Sequence, residues 1–238
     1  MVQLLINKCR SWIPPKSNPV VDVIQNQLVH AHLDLGRETA AHNLAYCGYQ
    51  DPSKRFSRTF RCDNRYCRRC RHRPIRRFFN KLKPIIDAGG EFRLMTLGVA
   101  ESNQQDWRLV KKACNLRSRL LNLAPFKKVL GALCSIEISW KGQAFFTHMH
   151  VLYIGELVNS RGKAPAQAIN AWQEKNFPHT HYDDRPVGGT QQDLFSTISY
   201  LYKGFKDEQF PPEAVKSYVE ATSSSILVTP RGCFRGRN

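Results

Sequence analysis

One strand-like stretch of the chain carries the residue types of a metal site. Residues 145–154 read FFTHMHVLYI. Alternation along an extended strand sends His148 and His150 to one face and Met149 to the other. Two neutral imidazoles so placed can bind one divalent ion together. The preceding stretch, residues 133–140 (LCSIEISW), turns Ile136 and Ile138 one way and Ser135, Glu137 and Ser139 the other. A Lys141-Gly142-Gln143 turn joins the two stretches as a hairpin. If that turn is four residues long, Glu137 lies opposite His148 on the same face and makes a third ligand. A three-residue turn puts it on the wrong face.

A helix predicted over residues 191–205 supplies the next reactive group. Leu194, Ile198, Leu201 and Phe205 form its buried stripe, while Asp193, Ser196, Tyr200, Lys203 and Asp207 gather on a polar one. Tyr200 and Lys203 are neighbours at i,i+3. A nearby cation favours phenolate and can also hold a phosphate, so Tyr200 is a candidate nucleophile beside Lys203. The same pairing describes any surface Tyr–Lys pair. Tyr202 lies nearer the buried stripe and is read as packing. Two further H-x-H patterns, His30-Ala31-His32 and His179-Thr180-His181, lack a convincing strand; the second reads as loop beside Asp183-Asp184.

Cysteine provides the third constellation. Cys47, Cys62, Cys67 and Cys70 are spaced C-x14-C-x4-C-x2-C, four soft ligands of the kind tetrahedral Zn²⁺ takes, with His72 as a possible substitute. Cys9, Cys114, Cys134 and Cys233 are isolated, and Cys134 reads as core. The stretch around the cluster is strongly basic. Residues 54–83 hold 13 Lys and Arg against one acidic residue, Asp63, and the whole chain has a formal charge of +17. Such an excess fits a polyanion, because neutralised phosphates release condensed counterions. Arg58, Arg61, Arg65, Arg68, Arg69, Arg71, Arg73, Arg76 and Arg77 are the candidate DNA-contacting residues.

The elements that must position these groups follow from periodicity and breakers. Residues 21–45 are helical with an interruption near 33–36. A basic helix spans 75–87 and ends at Gly89-Gly90; a strand covers 91–100 and a helix 106–123. After the hairpin come a helix over 165–177, a loop or short strand, the tyrosine helix, a helix over 212–221 and a strand over 225–228. Strands and helices interleave without βαβ regularity. The expected fold is therefore α+β, with a mainly antiparallel central sheet flanked by helices and an N-terminal Cys-rich zinc module. The expected divisions are a helical segment 1–46, a zinc module 47–73 and a catalytic domain 75–238. No run reaches the length of a membrane span and no signal peptide is read, so a cytoplasmic location is the default expectation.

The order of a strand, an H-hydrophobic-H strand and a Y-x-x-K helix resembles the HUH endonucleases, in particular the single-tyrosine rolling-circle replication initiators (Rep proteins) of plasmids. FRLMTLGVA is similar to that family's first motif, THMHVLYIG to the second and ISYLYKGF to the third. The cysteine module and the tail SSSILVTPRGCFRG resemble parts of one plasmid Rep family. The resemblance runs from about Cys47 to Arg235 and implies a prokaryotic cytoplasmic protein. By it, His148, His150 and a carboxylate, Glu137 in this reading, hold catalytic Mg²⁺ or Mn²⁺. Tyr200 attacks the scissile phosphate in line, leaving a 5′-phosphotyrosine and a priming 3′-OH, and Lys203 orients the phosphate or the tyrosine. The implied partners are an origin hairpin, a single-stranded nick site and host replication proteins. Where some relatives carry a glutamate one turn before the tyrosine, this chain has Ser196. That leaves water, Tyr202 or a second protomer for termination.

Three rival readings use part of the same pattern. A non-enzymatic zinc-finger DNA-binding regulator explains the charge and cysteines but leaves His148, His150 and Tyr200 idle. An HUH transposase or relaxase uses the same chemistry on another substrate. A zinc hydrolase accounts for two His and a Glu but gives the positive charge no purpose.

Overall fold

The structure is a computed structural model that describes residues 19–48, 61–62, 64, 67–102, 107–141, 144–159, 162–202, 211–222 and 227–235. Arg58, Arg65, Lys203, Phe205, Asp207 and Cys9 lie outside the described residues. The chain forms two compact units, residues 1–73 with 207–223, and residues 74–206 with 224–238. Residues 207–223, which the sequence reading includes in a 75–238 domain, group with the N-terminal segment instead.

The first unit is helical. Helix α1 (Pro19–Asp34) and α2 (Glu38–Ala45) are separated by the short turn at 35–37. Leu28, Val29, Ala31 and Leu44 are buried, as are Ala214, Val215, Tyr218 and Val219 of α7 (Pro212–Thr222). Helices α1 and α7 pack together. The unit boundary falls at Arg73/Pro74, inside α3 (Arg68–Asp87). The sequence reading starts this helix at residue 75. The structure extends it back through Cys70, so Pro74 sits in its interior. There it costs a backbone hydrogen bond.

The second unit is a five-stranded antiparallel sheet flanked by helices, with strand order β4-β1-β3-β2-β5. Its strands are β1 (Phe92–Ser102), β2 (Lys128–Lys141), β3 (Ala144–Glu156), β4 (Tyr182–Pro186) and β5 (Val228–Gly232). The helices are the remainder of α3, α4 (Trp107–Leu121), α5 (Pro165–Asn176) and α6 (Gln191–Leu201), with a 3₁₀ turn over Ala124–Lys127. On one face Phe92, Leu94, Leu133, Leu152 and Ile154 pack with Ile75, Leu82 and Ile86 of α3 and Leu194, Ile198 and Leu201 of α6. Full burial of each such aliphatic side chain contributes about 1.5–3 kcal/mol. The opposite face carries Met95, Leu97, Cys134, Ile136, Met149 and Val151, all buried, and α4 contacts β1, β2 and β3.

One strand runs beyond its expected bounds, and a stretch left open as loop or short strand is a strand. Of the strand expected over 225–228, residues 225 and 226 lie outside the described residues; the strand observed is Val228–Gly232, paired with Gly131–Ser135 of β2. Pro230 is tolerated because β5 is an edge strand. The stretch after His181 is a true strand, β4, pairing with β1. Among the described residues no helix is long and apolar enough to cross a membrane.

Candidate functional site

The face that α3 and α6 cover changes character along β3. Ile154 and Leu152 are core; His150 and His148, the next two residues on that face, are polar. The β2–β3 register pairs Lys141 with Ala144, leaving two residues in the loop, and so sets Glu137 opposite His148 and Ser135 opposite His150. On the other side β1 pairs Thr96 with His150 and Gly98 with His148. Side chains from three strands therefore meet on one patch.

Helix α6 brings the tyrosine to the patch. Its N-terminus carries a reciprocal cap: Thr190 Oγ1 accepts from the Asp193 backbone N–H at 3.1 Å, and the Thr190 N–H donates to the Asp193 carboxylate at 3.2 Å. Asp193 is thereby a capping residue. At the other end, buried Ser135 Oγ donates to the Leu201 carbonyl at 2.6 Å, satisfying one of the carbonyls that a helix end leaves open. That tether fixes the last turn, which holds Tyr200. Ser135→Ala should cost about 1–2 kcal/mol of stability by thermal or denaturant unfolding, the range for orphaning a buried acceptor.

The tyrosine hydroxyl points at the sheet. Tyr200 Oη donates to Glu137 Oε2 at 2.8 Å and lies 3.3 Å from His150 Nε2; the same carboxylate oxygen is 2.7 Å from His150 Nε2. His150 Nδ1 lies 3.0 Å from Thr96 Oγ1, which fixes the ring from behind. The His150 imidazole is 3% exposed and the Glu137 side chain 10%. Burial first, then the hydrogen bond to Glu137 and its charge, push the Tyr200 phenol above its ordinary range, with Arg185 pulling the other way. Tyr200 is thus held as a neutral donor beside a base. Tyr202 packs on Phe78, ring centres 5.8 Å apart. Ser196 is exposed.

The sulfur cluster in the first unit is tighter. Cys47 Sγ lies 3.4 Å from Cys67 Sγ and 3.5 Å from Cys70 Sγ, and Cys62 Sγ is 3.6 Å from Cys70 Sγ. Four sulfurs on one zinc at about 2.3 Å stand about 3.8 Å apart, so the set fits a tetrahedral ion. Among the described residues these four alone bring three or more such ligand atoms within 4.8 Å of one another. Gly48, with φ at 96°, follows Cys47; a Cβ there would collide with the Arg69 guanidinium, which donates to the Cys47 carbonyl. Arg69 is therefore engaged by the cluster. His72 is exposed and is not one of the four. Arg61, Arg73, Arg76 and Arg77 are exposed, and Arg71 is half-buried.

His148, His150 and Glu137 do not form so tight a cage as the cysteines. The two imidazoles are nearly parallel, ring centres 6.0 Å apart and planes 29° apart. An ion bonded at about 2.1 Å to a ring nitrogen sits about 3.2 Å from that ring's centre, so two rings can share one ion up to about 6.4 Å apart. That limit needs the ion collinear between the rings; cis ligands of an octahedral or tetrahedral ion stand about 4.6–5.3 Å apart, so His148 and His150 must turn toward one another to share one. The sequence reading missed a third imidazole here: His181, whose ring centre is 6.3 Å from that of His148. Its signal was an H-x-H beside polar residues, which reads as loop. Compared with known protein families, curated proteins and solved structures, the chain finds no match, so the chemistry of the patch is read from its own side chains.

Proposed function

We propose that the chain is a DNA-nicking enzyme of the HUH kind, acting as a rolling-circle replication initiator with Tyr200 as nucleophile. The observation that carries this reading is the convergence of a helix-borne phenol on a sheet-borne carboxylate and imidazole, at 2.8 and 3.3 Å. His148, His150 and Glu137 would hold Mg²⁺ or Mn²⁺, which when bound supplies Lewis-acid stabilisation of the charge developing on the scissile phosphate. Tyr200 Oη attacks phosphorus in line, forming the phosphotyrosine bond as the bond to the 3′ oxygen breaks. Its proton passes to Glu137, the acceptor it already faces, and the departing 3′ oxygen takes up a proton to become a free hydroxyl. A carboxylate has two oxygens and about four lone-pair sites, enough to accept from Tyr200 on one and ligate with the other. The exposed arginines suit the phosphate backbone of the strand. The cysteine module supports a structural zinc.

The test is incubation with Mn²⁺ and a 3′-labelled pool of single-stranded hairpin oligonucleotides, followed by a denaturing gel. The expected result is a labelled protein–DNA adduct that chelator prevents. Retarded duplex DNA with no cleavage and no adduct would overturn the nickase and leave a zinc-finger DNA-binding regulator. A transposase or relaxase would form the same adduct and differ in its DNA substrate.

A further inference from the structure

The edge strand β4 carries a cation that the sequence reading passed over. It pairs Tyr182 with Leu97 and Asp184 with Met95, and both partners belong to the face that α4 covers. Alternation therefore puts Asp183 and Arg185, opposite Thr96 and Leu94, on the face that holds Tyr200. Val187, two residues further on, agrees with this facing. It packs on the core cluster of Leu94, Leu194 and Ile198, as the Tyr200 side chain does.

Arg185 has no structural task in view. The neighbouring acid, Asp184, points to the other face and is taken by Arg93 at 3.3 Å and by the Tyr153 hydroxyl at 2.9 Å. The Arg185 side chain is exposed and forms no hydrogen bond or ion pair with any described residue. Thr96 stands in one row with Asp183 on one side and His150 on the other. With strands about 4.8 Å apart and a rise of about 3.3 Å per residue, the Arg185 Cα lies about 12 Å from the His150 Cα, across β1. That span suits a long side chain and a phenol that hold one phosphate between them. Arg185 is near enough for its charge to act on the Tyr200 phenol, which burial and then Glu137 push up and Arg185 pulls back. The described side chains that meet at the patch, Thr96, Glu137, His148, His150 and Tyr200, include no lysine or arginine of their own.

We infer that Arg185 is a catalytic residue whose guanidinium grips the phosphate that Tyr200 attacks. The inference rests on the proposed nicking reaction. Parallel N–H groups of a guanidinium match two phosphate oxygens, and the bonds strengthen as negative charge grows on those oxygens in the transition state. The resemblance gives phosphate orientation to Lys203 on the helix side; Arg185 reaches the same phosphate from the edge strand.

The test uses the full, zinc-loaded chain with Mn²⁺ and a hairpin oligonucleotide that yields the adduct, timing single-turnover adduct formation at saturating DNA. Arg185→Ala should slow it about 100- to 1,000-fold, the loss that follows removal of one donor to a transition-state oxyanion. Arg185→Lys keeps the charge without the paired donors and should recover only part of the rate. Millimolar guanidinium should speed Arg185→Ala and leave the wild type unchanged, an effect that a structural role would not produce. Lys111→Ala removes one exposed charge from α4, on the other face of the sheet, and should react at the wild-type rate. A wild-type rate in Arg185→Ala overturns the inference and leaves the nickase reading intact. So does a defect that more DNA corrects, which makes Arg185 one more contact to the strand, or one that comes with a lowered melting temperature and no guanidinium rescue. A wild-type chain that forms no adduct with any hairpin overturns both readings.

Discussion

Replacing Tyr200 with phenylalanine should abolish the covalent protein–DNA adduct while leaving the fold intact. The substitution deletes the hydroxyl that donates to Glu137, the one atom that would bond to phosphorus in the proposed reaction. Loss of a nucleophile costs on the order of 10⁴-fold or more in rate, at least about 5.5 kcal/mol of barrier. The structural cost is small by comparison. The phenol's hydrogen bond contributes about 1 kcal/mol, and its acceptor stays partnered, because Glu137 Oε2 keeps His150 at 2.7 Å. The variant should therefore show a near-wild-type melting temperature and no labelled adduct. An adduct of normal yield from Tyr200→Phe would remove Tyr200 from the chemistry. A collapse in melting temperature would make it a structural tyrosine. Glu137→Gln is the informative companion, since it keeps the shape beside Tyr200 but takes away the proton acceptor.

How much of this patch the sequence discloses depends on how local the determinant is. Strand alternation and a short loop are local, so the facing of Glu137, His148 and His150 could be argued from residues 133–154, up to the turn length that the Lys141–Ala144 pairing supplies. The stripe of Leu194, Ile198 and Leu201 is local too, but it sets Tyr200 on a separate polar stripe, and the seating of α6 on the sheet is what brings its hydroxyl to Glu137. His181 is not local. The strand that follows it is five residues of YDDRP, polar and at an edge, and it forms because β1 offers partners and Gln173 holds the turn. The start of α3 was hidden by Pro74, since a proline reads as a beginning unless something upstream anchors the helix. Cys67 and Cys70, buried at that end, are such anchors. The expected neighbour Lys203 lies beyond α6, which ends at Leu201, outside the described residues.

Stripping the chain of zinc should unfold its first unit. Cys47, Cys67 and Cys70 are 2%, 1% and 6% exposed, and sulfurs 3.4–3.6 Å apart are far beyond the ~2.05 Å of a disulfide. Four thiol groups packed so closely gain little from one another. As thiolates they repel unless a cation lies between them. Zinc binding to such a set is worth about 10–16 kcal/mol, as large as or larger than the roughly 5–15 kcal/mol that holds a whole domain folded. Among the described residues of the unit, much of the remaining core is small or aliphatic, as at Ala31, Ala41, Leu44, Ala214 and Val215, and contributes less per residue than the metal. The expected result is one zinc per chain by colorimetric release. Cys67→Ser and Cys70→Ser should lose that metal, with a fall in helical circular dichroism matching the residues of α1, α2 and α7. Cys114→Ala, buried in α4 and outside the cluster, should keep its zinc. Full zinc occupancy in both serine variants would mean that the four sulfurs meet by packing alone, and the cluster would then be read as core.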